Sequence, residues 1–143
     1  GSFENEGSIT GLYTVLVDGD DMNDPIGDAV RSIVDGHIVL SRALAQRGHF
    51  PAVDILQSAS RVMRAVTSAE HARLALKLRE TLATYKDAED LINIGAYKPG
   101  SNQKIDRTIK CIDALNDFLK QKVEDKTELR AGIGMLTGIL GPS

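Results

Sequence analysis

A chain of 143 residues, 42% hydrophobic and 26% charged, can bury one core, or parts of two. Its net charge of −3 argues against nucleic acid as the main partner, because a phosphate backbone selects a cationic footprint. The single cysteine, Cys111, excludes an internal disulfide and fits a reducing compartment; no apolar run approaches the ~18 residues of a membrane span.

In chain order, Gly1 to Gly7 is polar and reads as a loop. Ser8 to Val17, SITGLYTVLV, predicts a central strand, with Ile9, Tyr13, Val15 and Val17 on one face and Leu12 and Leu16 on the other. Such a strand needs neighbours, and only His37 to Leu40 offers a second good candidate. The rest of the sheet is therefore expected in chain on the N-terminal side. The next loop carries Asp18, Asp20, Asp21 and Asp24. Its spacing lacks the glycine and glutamate of a calcium loop, so it reads as a solvated approach to a helix N-cap. Asp24-Pro25 starts that helix, with Ile26, Ala29, Val30, Ile33 and Val34 on one stripe, ending near Asp35-Gly36.

Asp35 to Arg61 reads DGHIVLSRALAQRGHFPAVDILQSASR. It predicts a β run at His37 to Leu40, then a short helix from Ser41 to Arg47 closed by Gly48. Phe50, preceding Pro51, is pushed toward extended backbone, and Asp54 to Ser60 reads as a loop with one or two turns. From Thr67 helical periodicity takes over. Ser68 caps a helix running to about Ala88 or Ile92, with Leu74, Leu78, Leu82 and Tyr85 on one stripe. Gly95 and Lys98-Pro99-Gly100 break it. Ser101 or Asn102 opens the next helix, striped by Ile105, Ile109, Ile112, Leu115 and Leu119. A last helix spans about Lys126 to Leu136, weakened by Gly132, Gly134 and Gly138, and the tail beyond Leu140 is expected to fray. The chain thus divides near residue 63: 1–63 is the end of an α/β sheet domain, 64–143 a small all-α bundle.

Few residues suggest chemistry by themselves. Arg61 reads as a surface charge and Phe50 as a core aromatic. Arg64 and Arg42 lie nearby, Arg42 on a helix surface or in an internal ion pair. His37, His49 and His71 are too scattered for zinc and read as exposed or hydrogen-bonded. No nucleophile elbow or Ser/His/Asp cluster is present. The sequence also holds no G-x-x-x-x-G-K-[ST], the loop whose amides cradle phosphate and whose hydroxyl holds Mg2+.

Several runs carry a resemblance. GSIT at Gly7 to Thr10, GDDMNDP at Gly19 to Pro25, DGHIVLSRALAQRGHFPAVDI, the SASR ending at Arg61 and LINIGAYKPGS resemble the catalytic subunits of rotary-type hexameric ATPases. Within that group the chain looks most like the C-terminal third of a flagellar or type III protein-export ATPase, the flagellar branch being preferred on general likeness. The resemblance implies the end of a RecA-like P-loop NTPase sheet domain followed by the helical C-terminal domain. It makes Arg61 an arginine finger reaching in trans into a neighbour's nucleotide site. Phe50 would stand where the family often has Tyr, packed on adenine, with Tyr97 a weaker candidate for a second ring. Asp20, Asp21 and Asp24 fall in the loop that lines the central opening near the stalk. The parent would use ATP, ADP and Mg2+, with none expected on this chain, which is expected to be inactive alone. Implied partners are other copies in a homohexamer, a coiled-coil stalk, export chaperones and substrates, and the export gate. The implied location is cytoplasmic, peripheral at the membrane-embedded export apparatus.

Three other readings compete. The bundle could be a chaperone- or stalk-binding module with no chemistry of its own. An ATP synthase β-type subunit shares the DD-x-x-DP loop, the LSRA run and PAVD. The terminator Rho shares LSR and FPA, but the GDDMNDP loop and the acidic charge speak against it.

Overall fold

The computed structural model describes residues 2–3, 7–17 and 25–141, which fall in two compact units, Gly1–Val34 and Asp35–Ser143. In the first unit, β1 (Ser2–Phe3) and β2 (Gly7–Ser8) form an antiparallel pair, Ser2 opposite Ser8 and Phe3 opposite Gly7. The strand expected over Ser8 to Val17 is corrected here: only its first residue belongs to a strand, and 9–17 form no regular element. A strand exists by its ladder, and among the described residues no strand pairs with 9–17. Leu12 and Leu16 consequently stand 95% and 93% exposed. The loop holding Asp18, Asp20, Asp21 and Asp24 lies outside the described residues. Helix α1 (Pro25–Ile33) starts at the expected proline, but its stripe is not buried throughout, since Ile33 is exposed.

The second unit is built on three helices, α4 (Ala69–Asn93), α5 (Gln103–Leu119) and α6 (Leu129–Leu140). Two start where side-chain caps allow. Ser68 Oγ accepts the His71 N–H at 3.2 Å, and Asn102 Oδ1 accepts the Lys104 and Ile105 N–H groups at 2.9 and 3.4 Å. Leu74, Leu78, Leu115 and Leu136 form the core, with Leu82, Cys111, Phe118 and Ile133 packed around it. Ile109, expected on the inner stripe of α5, is exposed instead.

Helix α6 begins three residues later than expected and ends four later, in spite of its glycines. Each interior glycine costs about 1 kcal/mol against alanine, whereas burying one leucine-sized side chain returns about 1.5–3 kcal/mol. Leu136 is buried, and Ile133, Ile139 and Leu140 pack onto the same core. At the C-terminal end the Lys77 Nζ donates to the Leu140 carbonyl at 2.8 Å, satisfying one of the acceptors a helix leaves open there.

Ahead of the helices come β3 (Gly36–Leu40), α2 (Arg42–Gln46), β4 (Val53–Ser60) and the single turn α3 (Met63–Val66), which the sequence did not announce. Ser41 caps α2, its Oγ accepting the Leu44 N–H at 3.4 Å, and Gly48 follows with φ of 71°. The loop expected at Asp54 to Ser60 is also corrected. It belongs to β4, antiparallel to β3, with a turn folded into its middle.

Candidate functional site

The β3–β4 pair carries both main candidates, Phe50 at one end and Arg61 at the other. Its register is irregular. Leu40 faces Val53 and Val39 faces Asp54, yet His37 faces Ala59 and Gly36 faces Ser60. Residues 55–58 of β4 therefore bulge out of the ladder.

The sequence Asp54-Ile-Leu-Gln-Ser58 makes this bulge because its polar side chains answer its own backbone. Asp54 Oδ1 accepts the N–H groups of Leu56 and Gln57 at 2.9 and 3.0 Å, while Oδ2 accepts Gln57 Nε2 at 2.9 Å. Ser58 Oγ donates to the Asp54 carbonyl at 2.6 Å and accepts the Val39 N–H at 3.0 Å. Burial pushes the Asp54 carboxyl up in pKa, but the hydrogen bonds from Gln57 and Leu56, with the Lys86 charge, outweigh it and hold the group below its ordinary value. The outward carbonyls are taken too. His37 Nε2 lies 3.0 Å from the Gln57 oxygen. Arg79, on α4, donates Nη1 to Ile55 and Ser58 at 2.5 and 2.8 Å and Nη2 to Leu56 at 2.9 Å.

Arg61 leaves the sheet just beyond this bulge. Its N–H donates to the Asp35 carbonyl at 2.8 Å, and the residue is exposed. Opposite Ser60, the position of Gly36 admits no side chain: a Cβ there would lie 2.8 Å from the Ala59 oxygen and 3.3 Å from Ser60 Cα. Arg42 is exposed on α2 and Arg64 on α3.

Phe50 sits at the opposite end of the pair, before a cis Pro51, and is 57% exposed. Its carbonyl accepts the Gln121 N–H at 2.9 Å, just past the end of α5. Along β3 the two ends, Gly36 and Leu40, lie about 13 Å apart at the rise of an extended strand. His49 beside Phe50 is buried, where an exposed or hydrogen-bonded histidine was expected. That burial lowers its pKa, and the Lys120 charge adds to the effect.

Tyr97 lies elsewhere. Its hydroxyl contacts the Asn102 carbonyl at 3.0 Å and Asp106 Oδ1 at 2.9 Å, and Asp106 also accepts the Gly100 N–H at 3.0 Å. These bonds tie the ring to the N-terminal end of α5, whereas Phe50 is tied beyond its C-terminal end. A 17-residue helix is about 25 Å long, so the two rings do not flank one base within one chain.

Asp54 and Arg79 were not singled out from the sequence. Asp54 followed by Gln57 and Ser58 could have been read as a side-chain-stabilised turn. Nothing in the sequence ties Arg79 to residues more than 20 positions away.

Comparison with known proteins places this arrangement. Residues 67–138 match the family model of the T3SS EscN ATPase C-terminal domain, and residues 1–60 match that of the ATP synthase alpha/beta family nucleotide-binding domain. The chain belongs to the T3SS EscN ATPase family. A flagellum-specific ATP synthase of Bacillus subtilis (strain 168) is 55% identical over 94% of this chain and 31% of its own length. The assembled ATPase EscN from the enteropathogenic E. coli type III secretion system superposes with a TM-score of 0.91 at 47% identity, over 94% of this chain and 33% of that one. EscN in complex with its central stalk EscO gives 0.77 at 45% identity, over 82% and 29%. The chain spans about a third of the length of these relatives. In this EscN-type chain Phe50 falls inside the nucleotide-binding match, Tyr97 inside the EscN C-terminal match, and Arg61 between them.

Proposed function

We propose that these residues are the C-terminal part of a hexameric ATPase that energises type III protein export, with Arg61 as its arginine finger in trans and Phe50 as its adenine-packing ring in cis. The observation that supports this most is the β3–β4 pair, which has an exposed aromatic near one end and an exposed arginine residue just past the other. Groups at opposite ends of a strand pair whose ends lie about 13 Å apart suit two pockets on two sides of a subunit better than one pocket.

The chemistry follows from the residue types. A guanidinium is planar and permanently charged, and can hold two oxygens of a γ-phosphoryl group while charge spreads over them in the transition state. The Phe50 ring gives the base a flat apolar face without a hydroxyl. ATP or ADP with Mg2+ is the ligand of the whole assembly. The sequence holds no G-x-x-x-x-G-K-[ST], so the phosphate cradle and the hydroxyl that holds Mg2+ are assigned to other parts of the protein. The 143-residue chain is accordingly expected to be inactive alone.

The acidic loop with Asp20, Asp21 and Asp24 is assigned to the stalk side, and the α4–α5–α6 bundle to docking of stalk, export chaperones and gate, with the division between the two parts kept near residue 63. EscN has been seen with its stalk EscO, which supports the stalk assignment by likeness. A peripheral cytoplasmic place at the export apparatus is part of the same proposal; no helix among the described residues is long and apolar enough to cross a membrane. Relatives from flagella and from secretion systems both match, so the proposal covers the export step common to them.

The test is made in the full-length ATPase. Arg61→Ala should keep ATP binding and lose turnover by on the order of 10³-fold or more, the range known for arginine fingers. Hexamers mixed from Arg61→Ala subunits and subunits with a disabled phosphate loop should regain part of that turnover, because some interfaces then join an intact pocket to an intact arginine. A wild-type rate for Arg61→Ala, or no recovery on mixing, overturns the reading.

A further inference from the structure

We infer that Arg79 is the positioning residue for Arg61: the helical bundle fixes, through the Arg79 guanidinium, the bulge from which Arg61 leaves β4. The inference rests on the proposed role of Arg61. It starts from the four successive carbonyls of the bulge. Those of Ile55, Leu56 and Ser58 accept from Arg79 at 2.5, 2.9 and 2.8 Å, and that of Gln57 lies 3.0 Å from His37 Nε2. Every carbonyl of the surplus segment is thus met by a side chain from another element.

The bulge matters because its size sets the register beyond it. Slipping a paired strand by one residue turns each side chain to the opposite face. Here Gly36 faces Ser60, and the Arg61 N–H reaches the Asp35 carbonyl, only because residues 55–58 are looped out. If the loop tightened or spread, a different residue would stand opposite Gly36. Arg61 would then begin from another place and point elsewhere.

Arg79 suits the task by its shape and its seat. It follows Leu78, which is buried in the core of the bundle, so the guanidinium projects from a rigid part of α4. The planar fork offers five donors and meets three carbonyls at once, while a lysine ammonium at the same place would act as a compact point donor. Asp54 holds the amides of the bulge from within, and Arg79 holds its carbonyls from outside. The second contact hydrogen-bonds the strand that carries Arg61 directly to the bundle.

The experiment compares Arg79→Ala, Arg79→Lys, Arg61→Ala and the Arg61→Ala/Arg79→Ala double variant in the full-length ATPase, by kcat, KM for ATP and thermal unfolding. A small displacement of a reacting group can cost up to about 100-fold, so Arg79→Ala should lower kcat by about 10- to 100-fold with KM nearly unchanged. It should add no further loss in the Arg61→Ala background. Low millimolar guanidinium ion should recover part of the lost kcat of Arg79→Ala, which a loss of stability alone would not permit. Arg79→Lys should fall between wild type and Arg79→Ala, and it decides the matter if Arg79→Ala does not fold. Should Arg61→Ala lose turnover while Arg79→Ala and Arg79→Lys keep the wild-type rate, the inference falls and the finger stands. An equal loss from Arg79→Ala with and without Arg61 also overturns the inference. A wild-type rate for Arg61→Ala removes both.

Discussion

Gly36 and Ala59 approach each other so closely that a Cβ on Gly36 would lie 2.8 Å from the Ala59 carbonyl oxygen. The obstacle is backbone, with no flexible side-chain end to swing away, so Gly36→Ala must displace β4 next to Ser60. Overpacking of this kind costs about 1–3 kcal/mol. The urea midpoint of Gly36→Ala should fall with little change in slope, since the same surface is exposed on unfolding. In the full-length ATPase the same variant should reduce kcat more than it weakens ATP binding, because the displaced strand leads directly into Arg61. An unchanged midpoint would show that β4 does not press on Gly36.

Acid should weaken this chain in two separate ranges. His49 has a pKa lowered by burial and by Lys120, so between that value and the unfolded value of about 6.5 the unfolded chain binds more protons. Stability is therefore lost as pH falls below about 6.5. Asp54 also has a lowered pKa, from hydrogen bonds that exceed its burial penalty, and its contribution is complete above the unfolded value of about 3.9. It is lost as pH falls through the lower folded value. Melting temperature measured from pH 8 to pH 3 should decline in both ranges. His49→Gln should flatten the upper decline alone. Asp54→Asn should flatten the lower one and also cost about 1.5–3 kcal/mol at neutral pH, the worth of hydrogen bonds to a charged acceptor. If His49→Gln keeps the full upper decline, another group is responsible for it.

The helices were legible because their signals are local. Ser68 reads as a cap and the next helix start falls at Ser101 or Asn102, of which Asn102 is the cap; Leu74, Leu78, Ile112 and Leu115 read as inner positions from spacing alone. The misreadings share a different cause, which is pairing. Ser8 to Val17 has the composition of a strand, but a strand takes its hydrogen bonds from another strand, and none is described beside it. Asp54 to Ser60 has the polar residues of a loop, and 55–58 do form a turn, but Val53 and Ala59 still pair across it with Leu40 and His37. Arg79 carries no signal in the sequence that sets it apart from the other charged residues of α4. Its partners lie 21 to 24 positions earlier, beyond the reach of any periodicity.

Two residues from the same predicted stripe should respond very differently to truncation. Leu115 has no exposed surface, whereas Ile109 is 36% exposed. Leu115→Ala leaves a cavity among Leu74, Leu78 and Leu136 and should cost about 2–5 kcal/mol. Ile109→Ala opens no enclosed space and should cost no more than about 1 kcal/mol. Chemical denaturation of the two variants side by side measures the difference. Equal losses would mean that Ile109 is covered in solution by something other than the packing described.

The two aromatic candidates separate by what each variant should change. Phe50 shows more than half its surface to solvent, and its backbone is held by Gln121, which leaves the ring available to a ligand. Stacking on a base is worth about 1–3 kcal/mol, so Phe50→Ala in the full-length ATPase should raise KM for ATP by roughly 5- to 150-fold with kcat much less affected. Phe50→Tyr keeps the flat face and should bind ATP normally. Tyr97 spends its hydroxyl on Asn102 and Asp106 at the far end of α5. Tyr97→Phe should leave KM for ATP unchanged and lower the melting temperature, because Asp106 then loses one of the donors that hold the Gly100 turn. A KM that rises in Tyr97→Ala and stays constant in Phe50→Ala would exchange the two assignments, since α5 keeps these rings too far apart to serve the same base from one subunit.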